Sequence, residues 1–193
     1  MSLKKKLLLI LISLMLGHSS YSQVIVYYTY EDFKYERGES FDDYSSYFMA
    51  SAVTLTFVKD KKKHKIKCKD MWGFVYKDVL FRVDEFNKVP ARLMSFGKIF
   101  YYENGIAHLD ILKNNTTSGS SPSGFMIFFS KSIETPVVAF TSNKTMVARI
   151  PYKQFKSDYP EYKELFDCMD GNYSVTTARQ CVSAFQGEMD EDE

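Results

Sequence analysis

Trp72-Gly73-Phe74-Val75-Tyr76-Lys77-Asp78-Val79-Leu80-Phe81-Arg82-Val83 is the stretch around which the rest of the chain has to be built. Folded as a hairpin about Lys77-Asp78, it opposes Tyr76 with Val79, Val75 with Leu80, Phe74 with Phe81, Gly73 with Arg82 and Trp72 with Val83. Opposed residues share a face, and faces alternate along each strand. One face then carries Trp72, Phe74, Tyr76, Val79, Phe81 and Val83; the other carries Gly73, Val75, Leu80 and Arg82. Each large apolar side chain fully removed from water contributes about 1.5–3 kcal/mol, so the first face is core and demands a cover. The turn lacks the glycine that a tight hairpin loop prefers.

Upstream, Val24 to Tyr28 reads as an opening strand, and Thr29-Tyr30-Glu31-Asp32 as a helix N-terminus, predicting a short helix over Tyr30–Arg37 that Gly38 stops. Glu39 to Ser46 is polar and reads as loop. Val53, Leu55 and Phe57 alternate with Thr54, Thr56 and Val58; past a charged turn, His64, Ile66 and Cys68 alternate with Lys65, Lys67 and Lys69. These two runs predict a second hairpin with its lysines in water. Downstream, Asp84 to Ser95 reads as connection, with Pro90 arguing against a central strand. Lys98–Glu103 and Ile106–Ile111 flank Asn104-Gly105, a strong short hairpin signal. That hairpin puts Phe100, Tyr102, Ala107, Leu109 and Ile111 on a core face. Tyr101 with His108 and Glu103 with Ile106 fall on a mixed, wet one. Residues 113–124 read as a polar loop; Phe125–Ser130, Pro136–Thr141 and Met146–Ile150 read as strands.

The period then changes. Tyr162, Leu165, Phe166 and Met169 recur at helical spacing, Gly171-Asn172 closes that helix, and Val175, Ala178, Cys181, Val182 and Phe185 mark another. A tight turn between them brings Cys168 and Cys181 together, and in an oxidising compartment the pair reads as a disulfide; the alternative is two buried free thiols. Cys68, left over, reads as a small core residue.

The N-terminus sets that compartment. Lys4, Lys5 and Lys6 precede the apolar run Leu7–Leu16 and the small, polar stretch Gly17–Ser22, the three parts of a secretory signal peptide with cleavage after Ser22. The apolar run is too short to span a bilayer comfortably, and no later stretch is long enough. Export of residues 23–193 would leave 22 basic against 24 acidic residues, a formal charge of −2 where the full chain carries +1. The expected organisation is a signal peptide over 1–22, a β-rich domain over 23–155, a helical hairpin over 156–187 and an acidic tail over 188–193.

The concentrated charge lies at Lys59–Lys69. Lys61, Lys62, Lys63, Lys65 and Lys67 form a candidate anion-binding patch for an anionic glycan, a lipid headgroup or an envelope protein. In an exported protein nucleic acid is not the expected target. The bland alternative is a solvated hairpin tip whose charges keep a strand edge from pairing with other chains. Carboxylate pairs at Glu31/Asp32, Asp42/Asp43 and Asp84/Glu85 lack calcium-loop spacing. The histidines past the signal segment, His64 and His108, have no Cys-x-x-Cys to complete a zinc site. No phosphate-binding, dinucleotide or hydrolase motif is present, so no cofactor, metal or catalytic residue is assigned.

Residues Tyr28-Thr29-Tyr30-Glu31-Asp32-Phe33, Ile66–Phe74, Leu80-Phe81-Arg82 and Gly97–Gly105, with the leader ending at Ser22-Gln23, resemble small exported proteins typical of Bacteroidetes. The resemblance implies an envelope, periplasmic or secreted location and transfers no catalytic residues. The expected fold is α+β: an antiparallel sheet region, sandwich or partly open barrel, followed by a C-terminal αα-hairpin. The expected function is a non-catalytic binding or envelope-associated module. The alternatives are a hydrolase of cell-envelope polymers, with acids drawn from distant loops, and an inhibitor or immunity-type partner protein.

Overall fold

A computed structural model describes residues 24–49, 53–114, 126–140, 149–169 and 174–187. The leader, the Gly171-Asn172 turn and the acidic tail lie outside them. The fold is α+β. Eight antiparallel strands form one open sheet in the order β11-β10-β9-β8-β7-β6-β1-β2, and β3-β4-β5 form another. The large sheet comprises β1 (Val24–Tyr27), β2 (Glu39–Phe41), β6 (Gly73–Tyr76), β7 (Val79–Val83), β8 (Pro90–Ser95), β9 (Phe100–Asn104), β10 (Ile127–Ser130) and β11 (Val138–Phe140). The small one comprises β3 (Asp43–Met49), β4 (Val53–Lys59) and β5 (Lys62–Lys67). Helices are α1 (Tyr30–Lys34), α2 (Gly105–Asn114), α3 (Arg149–Asp158), α4 (Lys163–Met169) and α5 (Val175–Gly187), with 3-10 turns at Cys68–Asp70 and Pro160–Tyr162.

The β6–β7 hairpin has the register its sequence predicts, Gly73↔Arg82 through Tyr76↔Val79. Lys77 and Asp78 supply the tight turn without glycine by taking positive φ, 50° and 60°. Phe74 and Phe81 stack with ring centroids 4.8 Å apart. Cross-strand registers extend this row through the sheet as Phe140–Ile127–Glu103–Arg92–Phe81–Phe74–Val26. These residues share one face. At one end of that face the small sheet covers Val26, Phe74, Tyr76 and Phe81 with Tyr44, Leu55 and Phe57, and α2 adds Ile106 and Leu109. At the other end the C-terminal helices cover Tyr101, Ile127, Phe129 and Phe140 with Phe155, Leu165, Phe166 and Val182. Between the two apolar cores stand Glu103 and Arg92. The opposite face holds a smaller cluster of Ala91, Tyr102, Phe128, Val137 and Ala139.

Several expectations are corrected. Glu39–Ser46 is strand on either side of a bend at Asp42: Phe41 and Tyr44 are both buried in the first core, β2 pairs with β1, and β3 pairs with β4 in the other sheet. Pro90 opens β8, an interior strand: at a first position its missing N–H removes no needed ladder bond. Asn104-Gly105 starts a helix rather than a hairpin. The Asn104 side chain accepts from the Ile106 N–H at 3.1 Å, and Ile106, Leu109 and Leu112 face the core at helical spacing. Gly105 is needed for closeness, since a Cβ there would stand 2.5 Å from the Pro90 carbonyl oxygen. The supposed wet face of β9 is buried, with Tyr101 at 2% and Glu103 at 3% exposure, because the C-terminal helices lie on it. Trp72 leaves the core row; its ring sits between Phe33, with centroids 4.7 Å apart, and the Arg82 guanidinium at 4.0 Å. Of the strand expected over Met146–Ile150, residues 146–148 lie outside the described ones, and Arg149-Ile150 belongs to α3, so helix is present ahead of residue 156. Pro151 falls in the first turn of α3, where no intrahelical N–H bond is lost.

Candidate functional site

The predicted β4–β5 hairpin forms, turning at Asp60-Lys61, both with positive φ. β5 is an edge strand and pairs Lys63 with Val58, Lys65 with Thr56 and Lys67 with Thr54. These lysines share the outer face at about 7 Å intervals, and their cross-strand neighbours carry no charge to oppose them. Lys62 pairs with Lys59, and Lys61 occupies the turn. All five patch lysines are exposed. Among the described residues none has a carboxylate within ion-pair distance. Other lysines are tied down: Lys59 to Glu39 at 3.1 Å, Lys131 to Glu161 at 3.5 Å and Lys163 to Asp167.

The predicted Cys168–Cys181 disulfide is present and joins α4 to α5. Cys68 is buried in the first core, and burial pushes its thiol up to about 12, leaving no thiolate to act as nucleophile.

A cluster the sequence reading missed lies at the seam between the cores. Glu103 Oε1 accepts from Tyr101 Oη at 2.9 Å and Arg179 Nε at 2.6 Å; Oε2 accepts from Arg179 Nη2 at 2.7 Å and His108 Nε2 at 3.0 Å. His108 Nδ1 meets Arg92 Nη1 at 2.9 Å. A guanidinium only donates, so Nδ1 is the acceptor and the histidine proton sits on Nε2. Burial raises the Glu103 carboxyl, but the hydrogen bonds from Arg179, His108 and Tyr101 outweigh it and hold the group at about 2. With both oxygens saturated and the acid strongly ionised, the cluster docks α5 and α2 onto the sheet; it offers no proton and no free lone pair. The signal available in sequence was an acid inside the aromatic strand Phe100-Tyr101-Tyr102-Glu103.

The carboxylate pairs have local duties. Asp32 completes a capping box with Thr29. Asp42 Oδ2 accepts from the Asp60 N–H at 2.9 Å, and Asp43 Oδ1 from Tyr76 Oη at 3.1 Å. Asp84 Oδ2 accepts from the Asn87 N–H at 2.6 Å, closing the loop into β8. His64 is exposed on β5, with its ring edge-on to Phe41. Among the described residues no three potential ligands gather into a metal site, and no helix is long and apolar enough to cross a membrane. The most exposed rings, Phe96, Phe48, Tyr35 and Phe86, sit on separate segments. Glu85 and Glu134 do share a cleft, which Arg82 and Trp72 also line.

Compared with known proteins, the chain matches no family model, no curated protein and no solved structure, so its chemistry rests on its own geometry.

Proposed function

We propose that the chain is an exported, non-catalytic binding module whose β4–β5 hairpin lies along an anionic glycan. The observation that carries the reading is the row of Lys63, Lys65 and Lys67 on the outer face of an edge strand, extended by Lys61 and Lys62 and without a carboxylate partner among the described residues. A straight strand presenting a cation about every 7 Å suits a linear polyanion. A lipid surface would reward flanking apolar side chains, but Ile66 packs inward against the first core. The disulfide and the leader-like N-terminus are compatible with export, as is the resemblance to small exported proteins of Bacteroidetes.

Heparin, a sulfated glycan, is a direct probe. The protein is expected to bind at low salt and to elute as ionic strength rises, because exposed charges are screened. The variant Lys63→Glu/Lys65→Glu/Lys67→Glu should pass unretained with its thermal midpoint little changed. Equal retention of the variant rejects the reading; binding to anionic vesicles but not to heparin moves it to lipid headgroups. The hydrolase alternative has one observation in its favour, the cleft shared by Glu85 and Glu134. Cleavage of an envelope polymer that both Glu85→Gln and Glu134→Gln abolish would replace the binding reading.

A further inference from the structure

Among the described residues Arg82 is a buried cation with no counter-charge. Its side chain projects from β7 on the sheet face opposite the two main cores, in the row Ala91–Arg82–Gly73–Tyr27. The residue is 3% exposed. Nη1 donates to the Ile133 carbonyl oxygen and Nη2 to that of Thr135 at 3.3 Å. The guanidinium lies 4.0 Å from the centre of the Trp72 ring, and Tyr102 borders it as well. Among the described residues no carboxylate comes within ion-pair distance. Two buried donors, Arg82 Nε and Trp72 Nε1, have no acceptor among the described residues. A buried charge without a partner is costly, and so is each unanswered buried donor.

Both residues line a cleft of about 260 Å³. Val83, Pro136 and Val137 give it apolar wall; Lys69 and Lys88 add positive charge, and Glu85 and Glu134 negative. The volume falls below the range of about 300–1,000 Å³ usual for drug-sized ligands, so the occupant is of amino-acid size. We propose that this cleft is a binding site for a small organic carboxylate, held by Arg82 with the Trp72 indole N–H beside it. A guanidinium presents a planar fork of donors that a carboxylate matches, and a carboxylate is the group that answers its charge and a free donor together. Burial pushes the Arg82 pKa down, and a bound anion would oppose that shift. The acids on the wall supply a place for an ammonium group, which favours a zwitterion over a simple acid. This site is independent of the lysine row: the side chain that makes it belongs to β7, not to the β4–β5 hairpin.

Trp72 is the single tryptophan, so its emission reports directly on the cleft. The full chain would be titrated with propionate, L-alanine and inorganic phosphate at constant ionic strength set by sodium chloride. Propionate or alanine is expected to change the emission saturably. Arg82→Met should weaken binding about tenfold or more, the loss of one charge-assisted contact, while Arg179→Met, outside the cleft, should not. Should circular dichroism show Arg82→Met unfolded, Arg82→Lys, which keeps the charge but loses the fork, and the exposed Lys69→Glu decide; each should weaken binding several-fold. Tighter binding of alanine than propionate extends the assignment to zwitterions. A response that chloride reproduces, that grows without saturating, that only phosphate elicits, or that survives these substitutions overturns it.

Discussion

Replacing Glu103 by Gln keeps the shape of the seam cluster and removes its charge. The carboxyl stands at about 2 in the fold against 4.5 for a free glutamate. At 1.36 kcal/mol per pH unit, the difference corresponds to about 3 kcal/mol of stability. Arg179 is 54% exposed and regains hydration when released, which places the expected cost nearer 2–3 kcal/mol, roughly the lower end for a broken buried pair. The sign follows from a depressed acid: the contribution is complete above pH 4.5 and disappears as pH falls through 2. Linkage leaves roughly 1.4 kcal/mol of it at pH 3. Urea denaturation followed by Trp72 emission, for wild type and Glu103→Gln at pH 7, 5, 4 and 3, measures the gap directly. Other carboxylates titrate in both proteins and cancel in the comparison. The gap is expected to narrow by about half between pH 7 and pH 3. A constant gap would refute the reasoning, since it would mean that the ionised carboxylate is not what holds the helices. Adding Arg179→Met to Glu103→Gln should then cost far less than Arg179→Met alone, as partners in one network do not add.

Two further outcomes are expected. The Cys168–Cys181 bridge closes a loop of 13 residues, so reduction or Cys181→Ser should lower stability by about 3 kcal/mol; the denaturation midpoint with and without reductant checks it. In the same experiment Cys68 should stay unlabelled by a thiol reagent until the chain unfolds. Gly105→Ala would force a Cβ to 2.5 Å from the Pro90 carbonyl oxygen and should destabilise by about 1–3 kcal/mol through the strain of overpacking, read as a fall in thermal midpoint. No loss would mean that β8 and the start of α2 can separate without consequence.

Where a side-chain period ran uninterrupted, the sequence was readable. Phe74, Tyr76 and Phe81 announced the central hairpin, Val53, Leu55 and Phe57 the one carrying the lysines, and Tyr162 to Met169 the docking helix with its disulfide. What misled was local turn chemistry set against tertiary demand. Asn104 caps a helix instead of turning a hairpin, because Ile106 and Leu109 are needed in the first core and only a glycine lets the chain pass Pro90. Glu103 reads as solvent-facing in the sequence because the cover over it comes from residues more than 70 positions away, as its contact with Arg179 at a separation of 76 shows. Arg82 falls on the face opposite the core row, and its burial there is illegible for the same reason: the carbonyls of Ile133 and Thr135 that receive it lie beyond β10. Of the candidate patch, the lysines and their shared outward face were legible, but whether acids elsewhere would neutralise them was not.

The polar row between the two apolar cores bears on how the molecule opens. One large sheet underlies both, but the small sheet with α2 and the C-terminal helices with their disulfide are separate lids on it. Lifting the helical lid would strip cover from Tyr101, Phe129 and Phe140 and break the Arg179 contacts, while Val26, Phe74 and Phe81 stayed packed. Native-state hydrogen exchange should therefore resolve two cooperative units rather than one. The amides of α5, β10 and β11 are expected to exchange together in a sub-global event, and those of β1, β6 and β7 only with complete unfolding. Because Glu103 bridges the units, acid should loosen the first before the second.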